Sequence, residues 1–151
     1  MESTKALEIL KTAILLEKRG KAFYEKMAEQ TQSPEARKIF TTMAEEEKAH
    51  VEFLSVQFAH FVKEGKFTKP EQHNGDTEDI SHEILSPQLV KEISAASFEA
   101  AAISAAMDFE TRAVELYSKR AAEAVDPNEK EMYRWLADWE SGHHKILYDL
   151  N

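Results

Sequence analysis

Apolar side chains recur every three to four positions over four long stretches of the chain, the spacing that lays one buried stripe along an α-helix. The first stretch runs from about Thr4 to Gln30, the second from Ser33-Pro34 to Gly65, the third from Ser97 to about Val125, and the fourth from Asp126-Pro127 to about Leu150. The second and fourth open on a polar residue followed by proline. That pair starts a helix well, because the side chain accepts a hydrogen bond from a free N–H and proline at the first helical position loses nothing. Gly65 suits the left-handed residue that closes a helix. Ala, Glu, Lys and Leu, all strong helix formers, dominate these stretches.

Residues 66–96 break the pattern with Pro70, Asn74-Gly75 and Ser86-Pro87, and they read as a connection with a short helix over Gln88 to Ile93. A helix of roughly 24 residues is about 36 Å long. A connection of this length can cross that distance, which would leave the second and third helices parallel. The expected fold is therefore all-α: a four-helix bundle of two helical hairpins joined by a long crossover, occupying residues 1–151 as one domain.

The two hairpins repeat one another at an offset of 93 residues without a gap: Glu17 maps to Glu110, Tyr24 to Tyr117, Pro34 to Pro127, Glu47 to Glu140 and His50 to His143. Register kept across two helices and the turn between them implies a pseudo-two-fold relation between the halves.

Composition narrows the function classes. The chain has 151 residues, no Cys, and 28 Asp and Glu against 19 Lys and Arg, a net charge of -9. The lack of Cys excludes disulfides, thiolate-held clusters and thiol catalysis within these residues. The acidic balance disfavours nucleic acid and anionic membrane as partners. No apolar run approaches the ~20 residues of a membrane span. Nothing after Met1-Glu2-Ser3-Thr4-Lys5 resembles a signal peptide, so the expected location is cytoplasmic.

Carboxylates interrupt the apolar stripes. The first helix presents Leu10, Ala13, Glu17, Gly20, Tyr24 and Met27 on one face, and the third presents Ile103, Ala106, Glu110, Ala113 and Tyr117. In the second and fourth helices the stripe holds Glu-x-x-His, as Glu47 with His50 and Glu140 with His143. Four carboxylates and two imidazoles thus point into one interior at matched depth. Burying a single ion costs several kcal/mol, against a total stability of roughly 5–15 kcal/mol. No Lys lies in the stripes to offset this, and Arg120 lies beyond the site. Two divalent cations would cancel the four charges, and one Glu from each of two helices with Glu-x-x-His from each of the others is a di-iron or di-manganese ligand pattern. Oxygen-rich donors with imidazole suit iron or manganese better than copper.

The residues around this set are expected to be ordinary. Glu45, Glu46 and Asp138 read as a solvated face, and His60, His73, His82 and His144 as surface or loop residues. Tyr24 and Tyr117 are either core aromatics or hydrogen-bond donors to the ligands. Trp135 and Trp139 fall off the ligand stripe, as packing or subunit contacts. Phe40, Phe53, Trp135 and Trp139 placed on outer faces point to a homodimer.

With Ala13-Ile14-Leu15-Leu16-Glu17, Phe23-Tyr24, Ala44-Glu45-Glu46-Glu47-Lys48-Ala49-His50, the Glu110 to Tyr117 stretch and Glu140 to His143, the sequence resembles the rubrerythrin branch of the ferritin-like superfamily over nearly its whole length. The resemblance implies a ferritin-like bundle with a non-haem centre of two iron ions, manganese being possible, in a protein that reduces hydrogen peroxide under oxidative stress. It also implies a ligand set of Glu17, Glu47, His50, Glu110, Glu140 and His143, with Glu47 and Glu140 bridging. Two departures stand out. Rubrerythrin proper carries a rubredoxin-like centre on four Cys, so here electrons would come from an external donor such as a rubredoxin-like protein. The family's extra Glu, three residues after the third-helix ligand, is Ala113, and its repeat mate is Gly20. The expected function is a di-iron oxidoreductase acting on peroxide or oxygen. A ferroxidase that only handles iron, and a metal-stabilised structural or sensory bundle, are the alternatives.

Overall fold

The computed structural model describes residues 2–69 and 97–150. Four helices make up almost all of it: α1 (Glu2–Gln30), α2 (Pro34–Glu64), α3 (Ser97–Glu123) and α4 (Pro127–Leu150). The Gln88 to Ile93 helix, the crossover path, His73 and His82 lie outside the described residues. Helix boundaries follow the expected signals. Ser33 caps α2 from extended backbone, and its hydroxyl accepts the Ala36 N–H at 3.2 Å. Gly65 closes α2 with φ 74, and its N–H reaches the Phe61 carbonyl at 2.7 Å. Asp126 accepts the Asn128 N–H at 2.9 Å ahead of α4. The end of α3 falls at Glu123, short of the expected Val125.

Helix α1 packs along α2, α3 along α4, and the hairpins meet along α1 and α3. The contacts between α1 and α3 fix direction. Tyr24, late in α1, touches Glu110 in the middle of α3, whereas Glu17, earlier in α1, touches Tyr117, later in α3. Those two helices are therefore antiparallel. Since each hairpin reverses direction, α2 and α3 run parallel, as the crossover requires.

The apolar stripes form two separate clusters. One gathers Tyr24, Ile39, Phe40, Met43, Ile103 and Leu147 toward one end of the bundle. The other gathers Leu10, Leu54, Tyr117, Met132, Tyr133 and Leu136 toward the opposite end. Phe40 is a correction: it is buried in the first cluster and stacks on Tyr24, with ring centroids 6.4 Å apart. Helical spacing accounts for this, because Phe40 falls between Ala36 and Met43 on the buried side of α2. It contributes nothing to an outer face, so the argument for a second copy of the chain loses one of its aromatics. Beside the second cluster, buried Arg120 binds Glu129 with two nitrogens at 2.8 and 3.0 Å and reaches Glu2 at 2.6 Å. The pairing ties the start of α1 to the α3–α4 turn. No described helix is long and apolar enough to cross a membrane.

Candidate metal centre

Between the two apolar clusters lies a layer of charge. Glu17, Glu47, Glu110, Glu140 and His143 have no exposed surface and His50 has 1%. All six stripe residues therefore meet where the sequence pattern places them. They fall into two overlapping groups, Glu17, Glu47, His50 and Glu140, and Glu47, Glu110, Glu140 and His143, in each of which one donor atom per residue lies within 4.8 Å of the others. Glu47 and Glu140 belong to both. The two oxygens of Glu140 face one imidazole each: Oε1 is 3.0 Å from His50 Nδ1, and Oε2 is 3.3 Å from His143 Nδ1. His143 Nδ1 also approaches Glu47 at 3.3 Å and Glu110 at 3.5 Å, and His50 Nδ1 approaches Glu17 at 3.5 Å.

Whether these residues fit metal is decided by their unspent polar atoms. Glu17 Oε2, both oxygens of Glu47, Glu110 Oε2, Glu140 Oε2 and His143 Nδ1 are buried with no hydrogen-bond partner among the described residues. A buried acceptor left unsatisfied costs about 1–3 kcal/mol, and more when charged. Four carboxylates arranged this way fit a pair of hard or borderline divalent cations and fit no apolar ligand. The electrostatics agree. Burial, with repulsion from Glu110 and Glu17, lifts Glu140 well above the usual carboxylate range. Burial pushes the His143 imidazolium down, but Glu110, Glu140 and Glu46 outweigh it and raise His143 well above its ordinary value. Glu110 is shifted the other way: burial pushes it up, but hydrogen bonds and the His143 charge outweigh this and hold its carboxylate below the usual range. Proton uptake without metal is therefore favoured at Glu140 and His143.

The tyrosines settle one open alternative. Tyr24 donates its hydroxyl to Glu110 Oε1 at 2.6 Å, and Tyr117 donates to Glu17 Oε1 at 2.7 Å. Burial and the adjacent carboxylates push both phenols well above the usual range, so each keeps its proton and remains a donor. They hold the carboxylates that belong to only one group each.

Residues 8–151 match the sequence model of the family described as Rubrerythrin. The chain belongs to the rubrerythrin family. No curated protein and no solved structure matches it. The rubrerythrin fold here brings the six candidate residues together in two groups that could hold metal ions. At Gly20, the repeat mate of Ala113, the space is taken. A Cβ on Gly20 would fall 2.4 Å from Phe109 Cζ and 3.3 Å from Glu47 Oε2, so the half-buried Phe109 ring fills that space beside the centre. Ala113 is buried and offers no donor.

One expectation about the flanking residues needs correcting. Glu46 does not lie on a solvated face: its Oε2 contacts His143 Nε2 in a short charge-assisted hydrogen bond, and its side chain is 14% exposed. It sits at the edge of the α2 stripe, close enough to α4 to reach the far side of the imidazole. Trp135 and Trp139, off the stripe as expected, set their rings edge-to-face against His50 at 5.7 and 5.6 Å. The repeat carried a signal for both, because Glu46 and Trp139 are mates at the offset of 93 and each flanks the opposite hairpin's histidine. Glu45 and Asp138 are exposed as expected, and His60 and His144 lie outside the cluster.

Proposed function

We propose that this rubrerythrin-family chain is a non-haem di-iron oxidoreductase that reduces hydrogen peroxide with electrons from an external donor. The observation that supports it most is the pair of buried four-residue groups sharing Glu47 and Glu140. In this reading Glu47 and Glu140 would be shared by two irons, Glu17 with His50 and Glu110 with His143 would complete one ion each, and manganese is the alternative metal. Iron held there would supply two electrons to the O–O bond, so that peroxide, two electrons and two protons would give two waters.

The chain's own contribution is placement and exclusion. Tyr24 and Tyr117 fix the terminal carboxylates through hydroxyl protons that they keep. Glu140 divides its oxygens between the histidines. The apolar clusters on either side keep bulk water from the centre, which strengthens every charge interaction within it. With no Cys among the 151 residues, electrons reach the site from a donor outside them, and a rubredoxin-like protein is the proposed class.

One observation favours a second reading. The extra-carboxylate position is the buried Ala113, and the space at its mate Gly20 is taken by Phe109, so the donor set has the six members of a ferroxidase centre. Stopped-flow mixing of the ferrous protein with peroxide and with oxygen separates the two. Faster oxidation by peroxide, with iron retained and renewed turnover on adding reductant, supports the reductase. Faster oxidation by oxygen, followed by release of ferric iron, establishes the ferroxidase.

A further inference from the structure

The pseudo-two-fold makes the ligands of the two metal positions equivalent, but it does not extend to what stands behind the histidines. Both imidazoles turn Nδ1 toward the carboxylates. Behind His143, Nε2 meets Glu46. At the mate of Glu46 stands Trp139, whose ring is set roughly perpendicular to that of His50 and offers no acceptor. Among the described residues the ion pairs of His50 are all made by Nδ1, to Glu17 and Glu140. The indole Nε1 of Trp139 is itself buried without a partner among the described residues. Trp139 also lies against His143, with centroids 6.3 Å apart, so what separates the two histidines among the described residues is the carboxylate behind His143.

A carboxylate accepting the outer N–H of a ligating histidine fixes its tautomer and ring orientation and makes the inner nitrogen a better donor. An aromatic ring restrains orientation without that polarisation. The contrast is carried by one position of the repeat, where a single acidic residue faces a single aromatic one.

Resting on the di-metal reading, we propose that Glu46 is a positioning residue that makes the two metal positions unequal. The position formed by Glu47, Glu110, Glu140 and His143 takes the first divalent cation. The position formed by Glu17, Glu47, Glu140 and His50 takes the second, more weakly. The protein thus passes through a defined one-metal state in which the position beside the tryptophans is the exchangeable one.

The test is calorimetric titration of the chelator-stripped, folded chain with manganese(II), together with anomalous diffraction from crystals given one equivalent. Two resolved binding events and a single anomalous peak beside His143 are expected. In Glu46→Gln the first event should weaken by about 10–100-fold, the usual effect of losing such a partner, while the second stays within a few-fold. The diffraction arm uses the unmodified protein and does not depend on the variant's folding. Two equivalents bound with equal occupancy, a first peak beside His50, or an unchanged Glu46→Gln titration would overturn the proposal while leaving the di-metal reading intact. A folded protein that takes up no manganese or iron overturns both.

Discussion

Tyr24 on α1 donates its hydroxyl to Glu110 on α3, 2.6 Å away, across the junction between the hairpins. Its mate Tyr117 returns the same bond to Glu17. Each hairpin therefore positions a carboxylate of the other. A buried hydrogen bond to a charged acceptor contributes about 1.5–3 kcal/mol. Tyr24→Phe and Tyr117→Phe should each lower the stability of the metal-free protein by about that amount in urea unfolding. A loss below about 0.5 kcal/mol in both, the scatter of ordinary surface changes, would show that the hydroxyls are not holding the junction.

Removing metal should lower the melting temperature without abolishing the helices. The two apolar clusters persist on either side of the centre, while four carboxylates lose their counter-charge. Metal at about 100 times its Kd adds about 2.7 kcal/mol per site to the native state. Calorimetry of iron-loaded and chelated samples should show this as a clear upward shift, with far-ultraviolet dichroism little changed. Identical melting temperatures under saturating iron and manganese would argue against a core site.

The metal-free protein should be less stable in alkaline than in mildly acidic solution. Glu140 is raised above its ordinary 4.5 by burial and by its carboxylate neighbours. His143 is raised above 6.5 because its carboxylate neighbours outweigh burial. Folding therefore takes up protons at both groups. The stability this confers is complete below 4.5 for Glu140 and below 6.5 for His143, and it is lost as pH rises through their higher folded values. Metal replaces those protons, so the gap between loaded and metal-free melting temperatures should widen from about pH 5 to about pH 8. A metal-free melting temperature that climbs steadily over that interval contradicts the assignment.

Gly20 should tolerate no side chain while Phe109 is present. A Cβ there would sit 2.4 Å from the ring, closer than real contacts allow. Gly20→Ala should cost about 1–3 kcal/mol through overpacking. With Phe109→Ala already in place, the same change should be neutral or stabilising by up to about 1 kcal/mol, because alanine is the better helix former. Denaturant unfolding of the four proteins of this double-mutant cycle measures the coupling. Additive effects would mean that the ring does not occupy the space above Gly20.

Much of this architecture can be read in the sequence because the pattern is stated twice. Glu17 alone is one acid in an apolar stripe; Glu110 at the same register gives it a meaning. The same holds for the two Glu-x-x-His pairs, and the cap at Ser33 and the stop at Gly65 are local chemistry that needs no tertiary context. Glu46 escaped because it belongs to the packing of α2 against α4. Helical period turns it about 100° from Glu47, and only the approach of α4 brings His143 within its reach. The bulk of Phe40 suits either an outer face or the core, and only its angle around α2, between Ala36 and Met43, assigns it to the core. The seat of Phe109 on Gly20 needed coordinates, since a glycine in a helical stripe does not say what fills the space above it.

The sharing of Glu47 and Glu140 has a consequence for assembly. Each metal position draws three of its four residues from one hairpin and the fourth from the other. Neither hairpin carries a finished position, so the docking of the halves and the completion of both positions are a single event. Cations seated there would clasp the two halves together. Parting the hairpins by even a small hinge motion takes a donor from both positions at once, so breathing of the bundle would be coupled directly to the loss of any ion held there.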